Sequence, residues 1–133
     1  MGFFDNTKTY APIVLRYALG LVYLWFGINQ LINPNNFIGY LPTFIFNSPY
    51  AVAFVYANGV FEIVAATLLM MGILVRWVAA LLALHLLAIT FDLGYGELAV
   101  RDFGLAVATI SIWLWGEDKW CLGKKWKKKM TEN

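Results

Sequence analysis

The chain has 133 residues, 61% of them hydrophobic, 17% aromatic and 14% charged, with a formal net charge of +2. A soluble domain carries about 25% charged residues, and a globule of this size hides only about two-thirds of the surface its unfolded chain exposes. An ordinary soluble domain is therefore excluded: the apolar excess must face lipid, and four spans of about 20 residues would use about 80 positions and leave about 50 for loops and tails.

The first apolar run predicts a helix over about Pro12–Ile32, with Pro12 suited to a first turn and Asn33-Pro34 ending it. It resembles a signal-peptide core, but no small-residue cleavage pattern follows it and it is longer than a typical h-region, so it is read as retained. The connection Asn33–Pro49 is uncharged yet holds Phe37, Ile38, Tyr40, Leu41, Phe44, Ile45 and Phe46. It is expected to lie in the interface or to fold over the outer end of the bundle, because Pro42 and the Asn-Pro and Ser-Pro steps argue against another span. A second helix is expected over about Tyr50–Leu74, a short turn at Arg76, and a third helix over about Trp77–Leu93, broken by Gly94-Tyr95-Gly96. The run Phe103–Trp115 has 13 residues, too few to span alone. The fourth helix must therefore begin near Leu98, giving 98–115 and placing Arg101 and Asp102 at the membrane boundary.

Residues 116–133 form a basic tail, and six of the ten Lys and Arg lie between Lys119 and Lys129. Trp residues settle at headgroup level and clustered lysines attract anionic lipid. Trp120, Lys124, Lys125, Trp126, Lys127, Lys128 and Lys129 are accordingly read as a lipid anchor, with no nucleic-acid partner. Four spans put Lys8, Arg16, Arg76, Lys119, Lys124, Lys125, Lys127, Lys128 and Lys129 on one side and Arg101 alone on the other. That nine-to-one split predicts both termini in the cytoplasm. The expected fold is a single all-α domain, an integral membrane four-helix bundle of the cell membrane. The lone cysteine, Cys121, excludes an intrachain disulfide and any Cys-x-x-Cys motif, and is read as an inert thiol.

Polar residues at membrane depth carry the functional information, because a charge at midplane costs about 2.5 kcal/mol or more and must face a partner or a cavity. Glu62 lies about 18 Å into the second helix and His85 about 12 Å into the third, counted at 1.5 Å per residue, so the two can meet. Arg16, Gly20, Tyr23, Gly27 and Gln30 recur at steps of four and three and share one face of the first helix. Asn58 and Glu62 repeat the pattern on the second helix, His85 and Asp92 on the third, and Arg101, Gly104, Ala108 and Ser111 on the fourth. Stacked by depth, Asn29, Gln30, Asn58, Asp92, Arg101 and Asp102 form an outer layer and Tyr23, Glu62 and His85 a middle one, with Arg16 and Arg76 nearest the cytoplasm. Arg101 is expected to pair with Asp92, Asp102 or Glu62, since an unpaired buried cation is costly. The candidate polar core is thus Glu62, His85, Arg101, Asp92, Asn58, Tyr23 and Arg16. Two readings of it stay open: a network that only holds helices together, and proton transfer or headgroup recognition beside a quinone or similar amphiphile. A bis-histidine haem would need a second His, which only a symmetric dimer could supply, or a Met ligand such as Met70 or Met71. No phosphate loop, nucleophile triad or metal-ligand cluster is present, and no intrinsic cofactor is expected.

Leu15-Arg16, Ala18-Leu19-Gly20-Leu21, Trp25-Phe26-Gly27 and Asn29-Gln30-Leu31 resemble the first-helix signature of the DoxX family of small membrane proteins. Gly59-Val60-Phe61-Glu62, the segment Leu68–Leu74 and Arg76 are similar to the family's Gly-x-x-Glu segment and its arginine-bearing turn. Arg101-Asp102-Phe103-Gly104-Leu105 resembles the start of its last helix. The resemblance runs from Leu15 to Trp115 and implies a four-helix membrane bundle. It also implies a loose redox association. The family is named for a subunit of an archaeal thiosulfate:quinone oxidoreductase, and some bacterial members join superoxide dismutase and a sulfurtransferase in membrane oxidoreductase complexes, although most members have no assigned activity. Three readings follow: an accessory or quinone-interacting subunit of a membrane redox complex, a non-catalytic scaffold or assembly protein, and a small transporter. Membrane lipids and redox-complex subunits are the expected partners, and the glycine-lined faces allow a homo-oligomer.

Overall fold

A computed structural model describes residues 7–41, 43–93 and 96–132, apart from the side chains of residues 40, 92 and 93. Four long helices dominate it: α1, Ala11–Ile32; α2, Ala51–Met71; α3, Val75–Leu93; and α4, Glu97–Trp115. A further helix, α5, covers Leu122–Glu132. Three segments, Lys8–Ile32, Ala51–Met71 and Glu97–Trp115, are long and apolar enough to cross a membrane, and Val75–Phe91 is a shorter apolar helix. No strand occurs among the described residues. The expected all-α membrane bundle is what the chain forms.

The ends of these helices follow local chemistry. Pro12 sits in the first turn of α1, where its missing N–H costs nothing. α2 stops at Met71, three residues earlier than its apolar run suggests, because Gly72 adopts the left-handed conformation (φ 76°) and turns its amide back on Leu68 and Leu69. A glycine just past the last turn is the standard way to satisfy those carbonyls. Leu74 is also left-handed (φ 52°), so residues 72–74 alone reverse the chain and α3 begins at Val75, ahead of the expected Trp77. The outer connection folds into a 3-10 helix, Pro34–Tyr40, and a single helical turn, Thr43–Phe46.

α1 packs along α2 and α3 along α4, and lighter contacts between α1 and α4 and between α2 and α3 close the bundle. The five residues of the α1 stripe, Arg16, Gly20, Tyr23, Gly27 and Gln30, are all buried as expected. The stripe expected on α4 is corrected: Arg101, Gly104 and Ser111 are exposed and Ala108 is half-buried. The inward face is one position over, on Ala99, Asp102, Ala106, Thr109 and Ile112. Asp102 has too short a side chain to reach the headgroups from an inward position, whereas arginine can extend toward water along its own aliphatic stem. Asn29 leaves the expected outer layer as well, since its side chain merely returns to Trp25 O of its own helix at 2.7 Å.

The apolar core fills only one half of the bundle. Leu19, Ala66, Leu69, Val75, Leu82 and Ala106 are among its buried members. They come from the early parts of α1 and α3, the later part of α2 and the middle of α4, so the core lies toward the α2–α3 turn. The opposite half, beneath the outer connection, holds the polar residues and a cavity.

Candidate functional site

Two glycines let the site form. A Cβ on Gly27 would come within 2.9 Å of Gly59 O, and one on Gly59 within 3.0 Å of Gly27 O, so α1 and α2 touch backbone to backbone at this level. One turn further along each helix, Gln30 and Glu62 face each other. Gln30 Nε2 donates to Glu62 Oε2 at 2.9 Å, and Asn58 Nδ2 donates to Gln30 Oε1 at 2.7 Å and to Glu62 Oε1 at 3.4 Å. Glu62 is 4% exposed, and these donors are what make its burial tolerable.

From α3, His85 brings Nε2 to 3.5 Å from Glu62 Oε1, without hydrogen-bond geometry. Among the described residues it is the one buried side-chain nitrogen or oxygen with no hydrogen-bond partner. Phe61 packs edge-on against the imidazole, with ring centroids 5.1 Å apart. From α4, Arg101 pairs with its neighbour Asp102 at 3.2 Å and lies over the Phe26 ring, 5.4 Å from its centroid. Asp102 is thus one of the three expected carboxylates that does pair with Arg101.

These groups border one cavity of about 250 Å³ whose remaining wall is apolar, with Phe37 and Leu41 of the outer connection contributing to it. The expectation that this connection folds over the bundle fits that placement. Tyr23, Asn58, Glu62, His85 and Arg101, five of the seven candidate residues, line the cavity. Tyr23 is held by Thr109 at 2.9 Å rather than by Glu62 or His85. The Asp92 side chain lies outside the described residues. The expected separation of Asn58 and Gln30 from Glu62 into two layers does not occur, because the three bond to one another directly.

Arg16 is elsewhere. Its guanidinium is fully buried at the far end, donating through Nη1 to Leu69 O at 2.7 Å and Met70 O at 2.6 Å, and through Nε to Asp118 Oδ2 at 2.8 Å. It thus caps the exposed carbonyls at the end of α2 and ties α1 to the segment after α4. Asp118 also accepts from the Trp120 amide at 2.9 Å, and its own amide donates to Cys121 Sγ at 3.3 Å. Burial opposes ionisation of Asp118, but the Arg16 and Trp120 hydrogen bonds hold its carboxyl below the ordinary value. Burial pushes the Cys121 thiol up. This cluster joins α1, the end of α2 and the segment after α4, and none of Arg16, Asp118 and Cys121 lines the cavity above.

Four residues of these networks lie outside the candidate set: Gln30, Asp102, Thr109 and Asp118. Gln30 lies on the α1 stripe but is neutral, and a neutral amide at membrane depth is a weaker signal than a charge. Thr109 follows from Asp102 at the same four-and-three spacing, had the α4 face been set one position over. Asp118 was legible from need: Arg16 is a buried cation whose end of the bundle offers few acids, and Asp118 is one of them.

Among the described residues no group of three or more His, Cys, Asp or Glu could hold a metal ion. No curated protein and no solved structure matches the chain. The DoxX family does match, over residues 11–94. That range takes in α1, α2 and α3 with Gln30, Asn58, Glu62 and His85, and leaves the Arg101–Leu105 segment beyond it. Well over half of the chain is covered, and it belongs to the DoxX family of membrane proteins.

Proposed function

We propose that this protein binds the ring of a quinone-class amphiphile in the cavity between its four helices, as an accessory subunit of a redox complex in the cell membrane with both termini cytoplasmic. The observation that carries this reading is His85 Nε2, an unpartnered nitrogen in the wall of a cavity whose other polar groups include the bonded Gln30–Asn58–Glu62 set and the Arg101–Asp102 pair. A buried polar atom without a partner costs about 1–3 kcal/mol, and a ligand oxygen that met it would remove that cost. A quinone carbonyl accepts from a protonated Nε2; in the reduced ring the hydroxyl can donate to the same nitrogen or to Glu62. A cavity of about 250 Å³ is smaller than the roughly 300–1,000 Å³ of sites for drug-sized ligands. It suits a ring, with the tail leaving between helices into lipid. Redox partner subunits would supply the electrons.

Purification in a mild detergent followed by mass spectrometry of bound lipids, quinones and proteins tests the reading. Wild-type protein should retain a quinone, and H85A and E62A should bind a short-chain quinone at least tenfold more weakly with helicity unchanged. Absence of quinone from the wild type, together with equal binding by the variants, would sink it. A second reading, a non-catalytic scaffold, draws support from the closed Gln30–Asn58–Glu62 triad, which satisfies itself across α1 and α2. It predicts that E62Q expresses normally and still recovers a stable partner protein.

A further inference from the structure

The tail beyond α4 is held and aimed. Gly123 N–H donates to Gly72 O at 3.1 Å, and Cys121 is completely buried against Gly72, where any Cβ would lie 2.5 Å from Cys121 Cα. With the Arg16–Asp118 pair alongside, the root of α5 is locked to the α2–α3 turn and cannot drift from the bundle.

From that root α5 projects five lysines in eleven residues, Lys124, Lys125, Lys127, Lys128 and Lys129. Lys127 pairs with Glu117 at 2.9 Å. The other four make no ion pair among the described residues and are exposed, and Glu132 is the helix's lone acid. Leu122, Trp126 and Met130 recur every four residues, so they share an edge. Trp126 is 54% exposed and Met130 78% exposed. An apolar edge flanked by lysines is the pattern of a helix lying in the plane of a membrane interface. Exposed Trp77, Trp113, Trp115 and Trp120 at the same end of the bundle make the ring of amphipathic side chains found at headgroup level. Lysines and tryptophans thus meet one surface at one depth, which a bilayer offers and a compact acidic protein does not.

We propose that α5 is an interfacial helix that binds the anionic headgroups of membrane lipid through Lys124, Lys125, Lys128 and Lys129, with Trp126 and Met130 entering the acyl boundary. This rests on the membrane fold alone and is independent of what fills the cavity. Each lysine close to an anionic surface contributes about fivefold to binding, so four together shift the docked population several hundredfold.

The test uses the full chain carrying M130C with a fluorophore on the new cysteine, buried Cys121 being inaccessible to the reagent. The protein is reconstituted in vesicles of phosphatidylcholine alone or mixed equally with phosphatidylglycerol. In the anionic vesicles brominated acyl chains should quench the label and aqueous iodide should not. High salt or the K124Q/K125Q/K128Q/K129Q variant should reverse both results while leaving thermal unfolding unchanged. Equal iodide access in the two vesicle types would overturn the proposal, as would protection that appears only when RNA or an acidic protein is added.

Discussion

Replacing Arg16 with methionine tests the joint at the core end of the bundle. The side chains of Arg16 and Asp118 are 1% and 3% exposed. R16M removes two hydrogen bonds to the Asp118 carboxylate and the donors to Leu69 O and Met70 O. Leu69 O still accepts from Gly72 at 3.1 Å, but the carboxylate loses its one cationic donor and keeps the Trp120 amide. Breaking one side of a buried ion pair costs about 3–5 kcal/mol, whereas replacing both partners with apolar residues is often close to neutral. R16M should therefore lose about 3–5 kcal/mol and R16M/D118L should recover most of that loss. Reversible unfolding of the detergent-solubilised protein in dodecyl sulfate, followed by circular dichroism, measures both. Maleimide labelling of Cys121, slow in the wild type because the thiol is buried, should speed up in R16M. A loss below about 1 kcal/mol for R16M, or a double variant whose cost equals the sum of the singles, would show that Arg16 and Asp118 are not a coupled buried pair.

Gly59→Ala should destabilise by about 1–3 kcal/mol and weaken the Gln30–Glu62 bond, since its Cβ would meet Gly27 O at 3.0 Å; Gly104→Ala, with nothing within 4 Å, should unfold like the wild type. Tyr23→Phe deletes the bond to Thr109 and should cost about 0.6 kcal/mol, at most about 1.7, by the same unfolding assay. The Asp118 carboxyl titrates below its ordinary 3.8 in the folded chain, so the unfolded chain binds more protons between the folded value and 3.8. Its stabilisation is fully present above 3.8 and is lost as pH falls through the lowered value. Unfolding free energy measured against pH should decline through that window in the wild type and stay flatter in D118N; a wild-type curve that rises on acidification contradicts the assignment.

The helices were readable because lipid-facing runs and the four-and-three spacing of small and polar residues both survive in one dimension. On α1 the spacing picked out the buried face, since glycine and polar residues coincide there. On α4 the same rule failed: Arg101 and Asp102 are adjacent, both charged, and spacing cannot tell which one turns inward. The end of α2 was overextended because Ile73 and Leu74 continue the apolar run; only the left-handed Gly72 marks the stop. Five candidate residues gathered at one cavity because similar depth on neighbouring helices brings side chains together. Arg16 did not join them, since its partner Asp118 lies 102 positions away, and a pairing that distant leaves no periodic signal. The helical form of the tail was hidden too, because Leu122, Trp126 and Met130 are only three apolar points in a short lysine-rich stretch, whose order starts from the buried root at Cys121.

Occupancy of the cavity is most directly tested by photolabelling the full-length protein in lipid with an azido-quinone and mapping the adducts by mass spectrometry. Adducts should fall on the cavity walls of α2 and α3, around Asn58–Glu62 and His85–Ile89, be competed by unlabelled short-chain quinone and be much reduced in H85A. Labelling spread evenly over the lipid-facing residues, with no competition and no response to H85A, would contradict it.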